Sequence, residues 1–215
     1  LSSAEKEIGV ALADVGGGTT DVAIFADGGV AHTGSVSVAG NHITNDLVLG
    51  LQAPFLEAER IKIEYGSALA SEADPNEAVE LRVFGADEPD LVSRRLIAEI
   101  IESRMQEIYS LIESEIRRAG FANHLPAGVV LAGGTAELRD VRQLGREVLG
   151  LPVRVGIPTG AIGLTDSIMR PAYATTIGLL LWAAYHTDES GVAAPMSFEW
   201  KGVSRIRDLF RSFLT

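Results

Sequence analysis

Residues 8–14 (IGVALAD) form a short apolar run that passes Val15, crosses Gly16, Gly17 and Gly18, and resumes as TTDVAIF, a stretch rich in β-branched residues. A strand, a turn and a second strand are the natural reading. Glycine loses more backbone entropy on folding than any other residue, so a plain hairpin rarely uses three in a row unless something must approach the main chain closely. Bare backbone lets N–H groups reach phosphate oxygens, and the hydroxyls of Thr19 and Thr20 can donate beside them. Asp14, at the end of the buried strand, would point its carboxylate at the same place, where a magnesium ion held through water is expected next to a polyphosphate. The competing reading is a tight glycine hairpin capped by threonine. A dinucleotide-binding loop fits poorly, because that loop opens into a helix. A Walker A loop is absent, since none of Lys6, Lys62 and Lys201 follows a glycine loop.

The residues that follow extend the pattern. Residues 30–38 alternate loosely after Asp27-Gly28-Gly29 and predict a third strand, and Asn41 can cap a helix running to Leu51, with Ile43 and Leu47 at helical spacing. From Glu57 the character changes. Residues 57–65 are helical in propensity, 71–90 are acidic and turn-rich with one strand at 79–84, and 91–119 are the longest periodic segment, closed by Gly120. At 1.5 Å per residue that helix is a rod of about 40 Å. The earlier style then returns. Residues 129–132 read as a buried strand, Gly133-Gly134-Thr135 as a turn, and Leu138, Val141, Leu144 and Val148 as one face of a helix closed by Gly150. A strand at 152–157 and a helix opened by Pro171 and ending near Tyr185 complete the body. With 52–120 set aside as an insertion, the order is βββαβαβα, which demands a mixed α/β sheet with helices on its faces.

Composition narrows the functional classes. A chain with 47% hydrophobic and 22% charged residues buries a real core, and 215 residues suit one large domain or two small ones. The formal charge of −11 is unevenly spread: from Lys201 onward four basic residues face one acid, which leaves a body of 14 basic and 28 acidic side chains. Such a body repels a nucleic-acid backbone. The absence of cysteine excludes disulfides, thiolate metal sites and cysteine nucleophiles. The histidines, 32, 42, 124 and 186, are scattered and suggest no metal cluster. No secretory signal opens the chain, the apolar run 176–185 is shorter than the ~20 residues of a bilayer span, and the first residue is Leu, so a cytoplasmic protein lacking its N-terminal part is expected. Residues 186–200 have the composition of a flexible linker. Beyond it, 201–215 read as a short amphipathic helix in which Ile206, Arg207, Phe210, Arg211, Phe213 and Leu214 suit a bilayer interface with anionic headgroups. Each basic residue there contributes roughly 1 kcal/mol. Docking on a protein surface is the alternative.

A second glycine turn, VVLAGGTAEL at 129–138, leads from a buried strand into a helix whose N-terminus could face a nucleotide. Alone it is an ordinary α/β turn with Thr135 as N-cap; its weight comes from the pairing, because two glycine turns on one sheet can flank a single ligand. In this order the two segments resemble the phosphate-2 and adenosine motifs of the actin, Hsp70 and sugar-kinase superfamily. SVAGNHITNDLVLGL (37–51), EAERIKIEYGSA (57–68) and RPAYATTIGLL (170–180) narrow the resemblance to one branch, the bacterial cell-division FtsA family, over its C-terminal half.

The resemblance implies roles residue by residue. Asp14 would face metal and water, and is the candidate catalytic residue; Gly16, Gly17, Gly18 and Thr19 would cradle phosphate. Glu59 and Lys62 match a Glu-x-x-Lys pair that reaches the adenosine ribose and base, where spacing alone reads as an i, i+3 surface salt bridge. Gly133, Gly134 and Thr135 match the adenosine turn, with Ala132 in place of a frequent Thr or Ser and Thr135 in place of a common third glycine. The implied fold is actin-like (ribonuclease H-like), with 1–51 plus 121–185 as the nucleotide-binding lobe, 52–120 as an inserted α+β outer subdomain, 186–200 as linker and 201–215 as a membrane-targeting helix. The implied cofactors are ATP and Mg, with at most a weak ATPase activity. The implied partners are the C-terminal tail of the tubulin-like protein FtsZ, with Arg94 and Arg95 opposite its acids, an anionic membrane surface, further copies in actin-like polymers and other division proteins, and no nucleic acid. The implied place is the cytoplasmic face of the cell membrane at the septum. A pilus-assembly actin homologue and half of a superfamily sugar or small-molecule kinase stay open beside it.

Overall fold

The computed structural model describes residues 1–122, 124–160 and 168–186. Across the glycine break, β1 (Val10–Val15) and β2 (Thr20–Ala26) pair antiparallel, Val15 opposite Thr20 and Val10 opposite Phe25. A type of turn that needs positive φ at Asp27 and Gly28 then returns the chain as β3 (Gly29–Val36) on the outer side of β2. The meander is completed by two parallel strands, β6 (Val129–Ala132) beside β1 and β7 (Val153–Val155) beside β6, giving the order β3-β2-β1-β6-β7. The sheet is mixed, as the element order requires.

Period-two alternation sets its buried face. Ala11, Ala13 and Val15 of β1 lie opposite Ile24, Val22 and Thr20 of β2, and all six are buried. They join one core with Ile43 and Leu47 of α2 (Gly40–Leu51), Ile61 of α3 (Phe55–Tyr65), the apolar stripe of α4 (Arg94–Arg118) and Leu144 of α5 (Val141–Leu149). Each fully buried isoleucine or leucine contributes ~1.5–3 kcal/mol. Residues 52–120 supply α3, α4 and a separate two-stranded sheet of β4 (Ala78–Leu81) and β5 (Asp90–Ser93). The seat between α4 and α5 is tight: the Tyr109 hydroxyl donates to the Val141 carbonyl at 2.6 Å, and a Cβ on Gly145 would press on the Tyr109 ring at 3.0 Å. Burial pushes that phenol's pKa up.

Four elements differ from expectation, each for a local reason. Residues 3–8 form α1 (Ser3–Ile8), which hydropathy does not announce; Ser2 and Glu5 close a capping box, and Glu5 reaches Arg154 of β7 at 2.8 and 2.9 Å. Asn41 is not the cap of α2. Ala39 holds that position, and the first amides of the helix donate to carbonyls of the glycine turn. The long helix begins at Arg94 rather than Leu91, because Leu91 and Val92 pair with Glu80 and Val79 in β5. The second glycine turn leads into a 3-10 turn (Gly134–Glu137), and α5 starts only after Asp140, so Leu138 lies outside it. A further 3-10 turn (Pro171–Tyr173) begins with Pro171 and runs into α6 (Ala174–His186). His186, expected to open the linker, is the last residue of α6, and the rest of the expected linker and the expected 201–215 helix lie outside the described residues.

Candidate functional site

Asp14 pairs in parallel register with Ala132, so both glycine turns leave the sheet from the carboxyl ends of adjacent strands. That is where open α/β sheets place their ligands. In the first turn, the Gly16 N–H donates to the Thr19 carbonyl at 3.0 Å and closes the loop. The Gly16 and Gly17 carbonyls are held by α2, accepting from Gly40 N–H at 3.0 Å and Asn41 N–H at 2.7 Å. In a trans peptide the C=O and N–H point opposite ways, so carbonyls drawn toward α2 turn the next amides, Gly17 and Gly18, away from it. Neither of these N–H groups, nor that of Thr19, has a partner among the described residues. A Cβ on Gly18 would meet nothing within 4 Å, while one on Gly17 would press on the Asn41 side chain at 3.2 Å.

The second turn is built differently. Gly133 has φ +84°, and a Cβ there would lie 2.5 Å from Asp14 Oδ1 and overlap the Val15 carbonyl. Its N–H donates to the Pro171 carbonyl at 3.0 Å. Gly134 again faces open space, and the N–H groups of Gly134 and Thr135 are unpartnered among the described residues. The buried Thr135 hydroxyl donates to the Gly16 carbonyl at 3.0 Å, which ties the two turns together.

Glu59 and Lys62 are not a surface pair. Lys62 is 8% exposed, and its ammonium donates to Glu59 Oε2 at 2.7 Å, Thr44 Oγ1 at 2.9 Å and the Gly40 carbonyl at 3.1 Å. Three protons meet three acceptors. Glu59 Oε2 also accepts from the Thr44 hydroxyl, which leaves Oε1 without a partner among the described residues. Gly40 is the meeting point: a Cβ on it would lie 2.5 Å from Thr135 Oγ1, 3.1 Å from the Gly16 carbonyl and 3.7 Å from Lys62 Nζ.

Asp14, Gly16 to Thr19, Glu59, Lys62 and Gly133 to Thr135 are thus linked through a few direct contacts. Sequence reading missed three members. Gly40 and Thr44 sit in the GNHIT stretch, and Thr175 of α6 donates its hydroxyl to Asp14 Oδ2. Thr20 is a correction: its hydroxyl is buried and donates to the Val38 carbonyl at 2.7 Å, away from any ligand, while the Thr19 hydroxyl donates to Asp21 Oδ2 at 3.1 Å. His42 acts at the start of α2, its Nδ1 accepting from Ala39 N–H at 3.1 Å. No group of three or more His, Asp or Glu side chains that could hold a metal is present among the described residues. A cavity of about 520 Å³ opens along β1, β2 and β3 and is lined in part by Asp14 but by none of the glycines at 16–18 or 133–134.

Arg94 and Arg95 lie apart from this cluster. The Arg94 side chain is 16% exposed, pairs with Glu77 at 2.5 Å and donates to the Tyr65 carbonyl at 3.1 Å; Arg95 is exposed and 3.3 Å from Glu99. The six residues expected at a membrane, Ile206 to Leu214, lie outside the described residues.

A family profile described as "Cell division protein FtsA" matches residues 11–178. The cell division protein FtsA of Pseudomonas aeruginosa is 42% identical over 182 residues, covering 85% of this chain and 44% of the relative. That of Escherichia coli K12 is 37% identical over 187 residues, with coverage of 84% and 44%. The chain therefore spans less than half the length of the curated relatives it matches. Among solved structures, MreB5 of Spiroplasma citri bound to ADP superposes with a TM-score of 0.63 at 20% identity, over 84% of this chain and 55% of that one. The fold is actin-like.

Proposed function

The chain belongs to the FtsA family of cell division proteins, and on that premise we propose that it forms one wall of an ATP site in an actin-like scaffold of the division machinery. The observation that carries this reading is the pair of glycine turns joined by Thr135 and Gly16, with five unpartnered amides between them. Outward N–H groups at the ends of parallel strands suit polyphosphate oxygens. Gly18 and Gly134, which face open space, leave room for that group where any side chain would intrude. When bound, magnesium would neutralise phosphate charge, and Asp14 would hold it through water. Thr175 fixes one Asp14 oxygen, so the other is oriented toward the turns. Glu59 Oε1 is free to accept from a ribose hydroxyl, with Lys62 acting as the residue that positions Glu59 rather than as a ligand itself. MreB5 of Spiroplasma citri, solved with ADP, supports a nucleotide here.

In this reading the body divides into the lobe 1–51 plus 121–185 and the insertion 52–120. The scaffold assembles with further copies, takes the FtsZ tail on the outer subdomain, with Arg95 the more accessible of the two candidate arginines, and is held at the inner membrane face by 201–215. The pilus homologue and the kinase half are disfavoured by the FtsA match over residues 11–178. Two experiments test the proposal. Isothermal titration of the protein at the full length of its relatives with ATP and magnesium should give binding that Asp14→Ala weakens; unchanged affinity removes Asp14 from the site. Vesicles containing phosphatidylglycerol should sediment the chain but not a version ending at Ser190; equal sedimentation would end the tether claim.

A further inference from the structure

The body of this chain carries twice as many acids as bases, so an arginine on it ordinarily finds a carboxylate. Eight of the twelve arginines in the described residues do so within 4.0 Å. A ninth, Arg82, donates its backbone N–H to Glu57 Oε1 at 3.3 Å, and its charge adds to that of Arg60, the main group that holds the Glu57 carboxyl below its usual range. The remaining three, Arg139, Arg142 and Arg146, are exposed, hold no ion pair and fall within eight consecutive residues at the start of α5. Acids are present there, but they are engaged. Asp140 accepts from the Ser67 hydroxyl at 2.8 Å, Glu137 pairs with Arg170, and Glu147 accepts from Gln143 at 3.3 Å.

The arginines stand on a rigid support. Val141, Leu144, Gly145 and Leu149 are the buried face of α5, pinned to α4 by Tyr109, which turns Arg142 and Arg146, one helical turn apart, outward together. Beside Arg142 is a cleft of about 360 Å³ lined by Leu138, Val141 and Val155 and by Asp140, Arg142, Gln143 and Arg154, where the Asp140 carboxylate is held by Ser67 and the Arg154 guanidinium by Glu5. No large exposed apolar side chain lies on α5, so the helix lacks the face that would enter a bilayer.

We propose that the Arg139–Arg142–Arg146 surface of α5, with its adjoining cleft, is a docking site for an acidic peptide segment of a partner protein. Two arginines one turn apart match carboxylates on such a segment in fork geometry, and an apolar side chain between them enters the cleft beside Leu138 and Val155. The site shares no residue with the nucleotide wall or with Arg94 and Arg95.

The probe is a fluorescein-labelled peptide, Asp-Glu-Asp-Leu-Glu-Asp-Glu, followed by anisotropy at low salt against the full chain. The wild type is expected to bind, and Arg142→Glu with Arg146→Glu to weaken binding by about tenfold or more while leaving the melting temperature unchanged. Arg95→Glu is expected to have no effect on this peptide. Wild type that fails to bind, or a double variant that binds as well as wild type, overturns the proposal. Phosphatidylglycerol vesicles form the second arm: the double variant should sediment with them like wild type, and a parallel loss there would assign the arginines to the membrane instead. ATP affinity is measured on the same variant, so that failure of the nucleotide reading is read separately.

Discussion

The two glycine turns of the site use the same residue for opposite purposes. Gly133 is packed: its φ of +84° and its contact with Asp14 and Val15 admit no side chain. Gly18 is open: it has an ordinary φ and nothing within 4 Å of where a Cβ would be. Gly133 is fixed by the fold, whereas Gly18, like Gly134 beside Gly133, has room that no protein atom fills. A run of glycines in a sequence therefore mixes structural and ligand-facing positions, and only the surrounding atoms separate them.

The largest effect is expected at Gly133. Gly133→Ala forces an alanine into the left-handed region and against the Asp14 carboxylate, and should cost about 3 kcal/mol or more in urea unfolding. A loss no larger than that of Gly134→Ala, which is expected near zero, would mean the two glycines are not different. Thr135→Val sharpens the link between the turns. It removes the donor to Gly16 from a buried position and should cost about 1–3 kcal/mol, with ATP affinity falling alongside stability. Stability lost without any change in affinity would detach Thr135 from the site.

The smallest effect lies at the far end of the sheet, in α1. The Ser2 N–H, and after it Arg154, hold the Glu5 carboxyl down at about 2 from its ordinary 4.5. A depressed carboxylate contributes stability that is fully present above pH 4.5 and is lost as pH falls toward 2. Glu5→Gln should cost about 1 kcal/mol at pH 7 and flatten that acid limb. An unchanged acid limb in thermal melts would remove α1 from the sheet's stability.

Much of the fold was legible because strand patterns are local. The run 129–132 is β6 to the residue, and Gly150 closes α5 in the left-handed region as a C-terminal glycine should. The site was legible as a set of residues but not as a network. Nothing in EAERIKIEY says that Lys62 is buried, because its burial comes from Gly40 and Thr44 on another helix, 22 and 18 residues away. Thr175 meets Asp14 across 161 residues of chain, a contact that no periodicity encodes. The misplaced start of α4 has the converse cause: Leu91 fits the helical period, but pairing with β4 outweighs it. The Ser2-x-x-Glu5 signal of α1 is short, and no apolar stripe accompanies it.

In the proposed site, Gly18 is bare because the turn receives phosphate there. Gly18→Val probes this position, since a Cβ there meets no protein atom within 4 Å. In the protein at the full length of its relatives, calorimetric titration with a non-hydrolysable ATP analogue and magnesium should show affinity reduced by about tenfold or more at an unchanged melting temperature. Affinity equal to wild type in that titration would contradict the account.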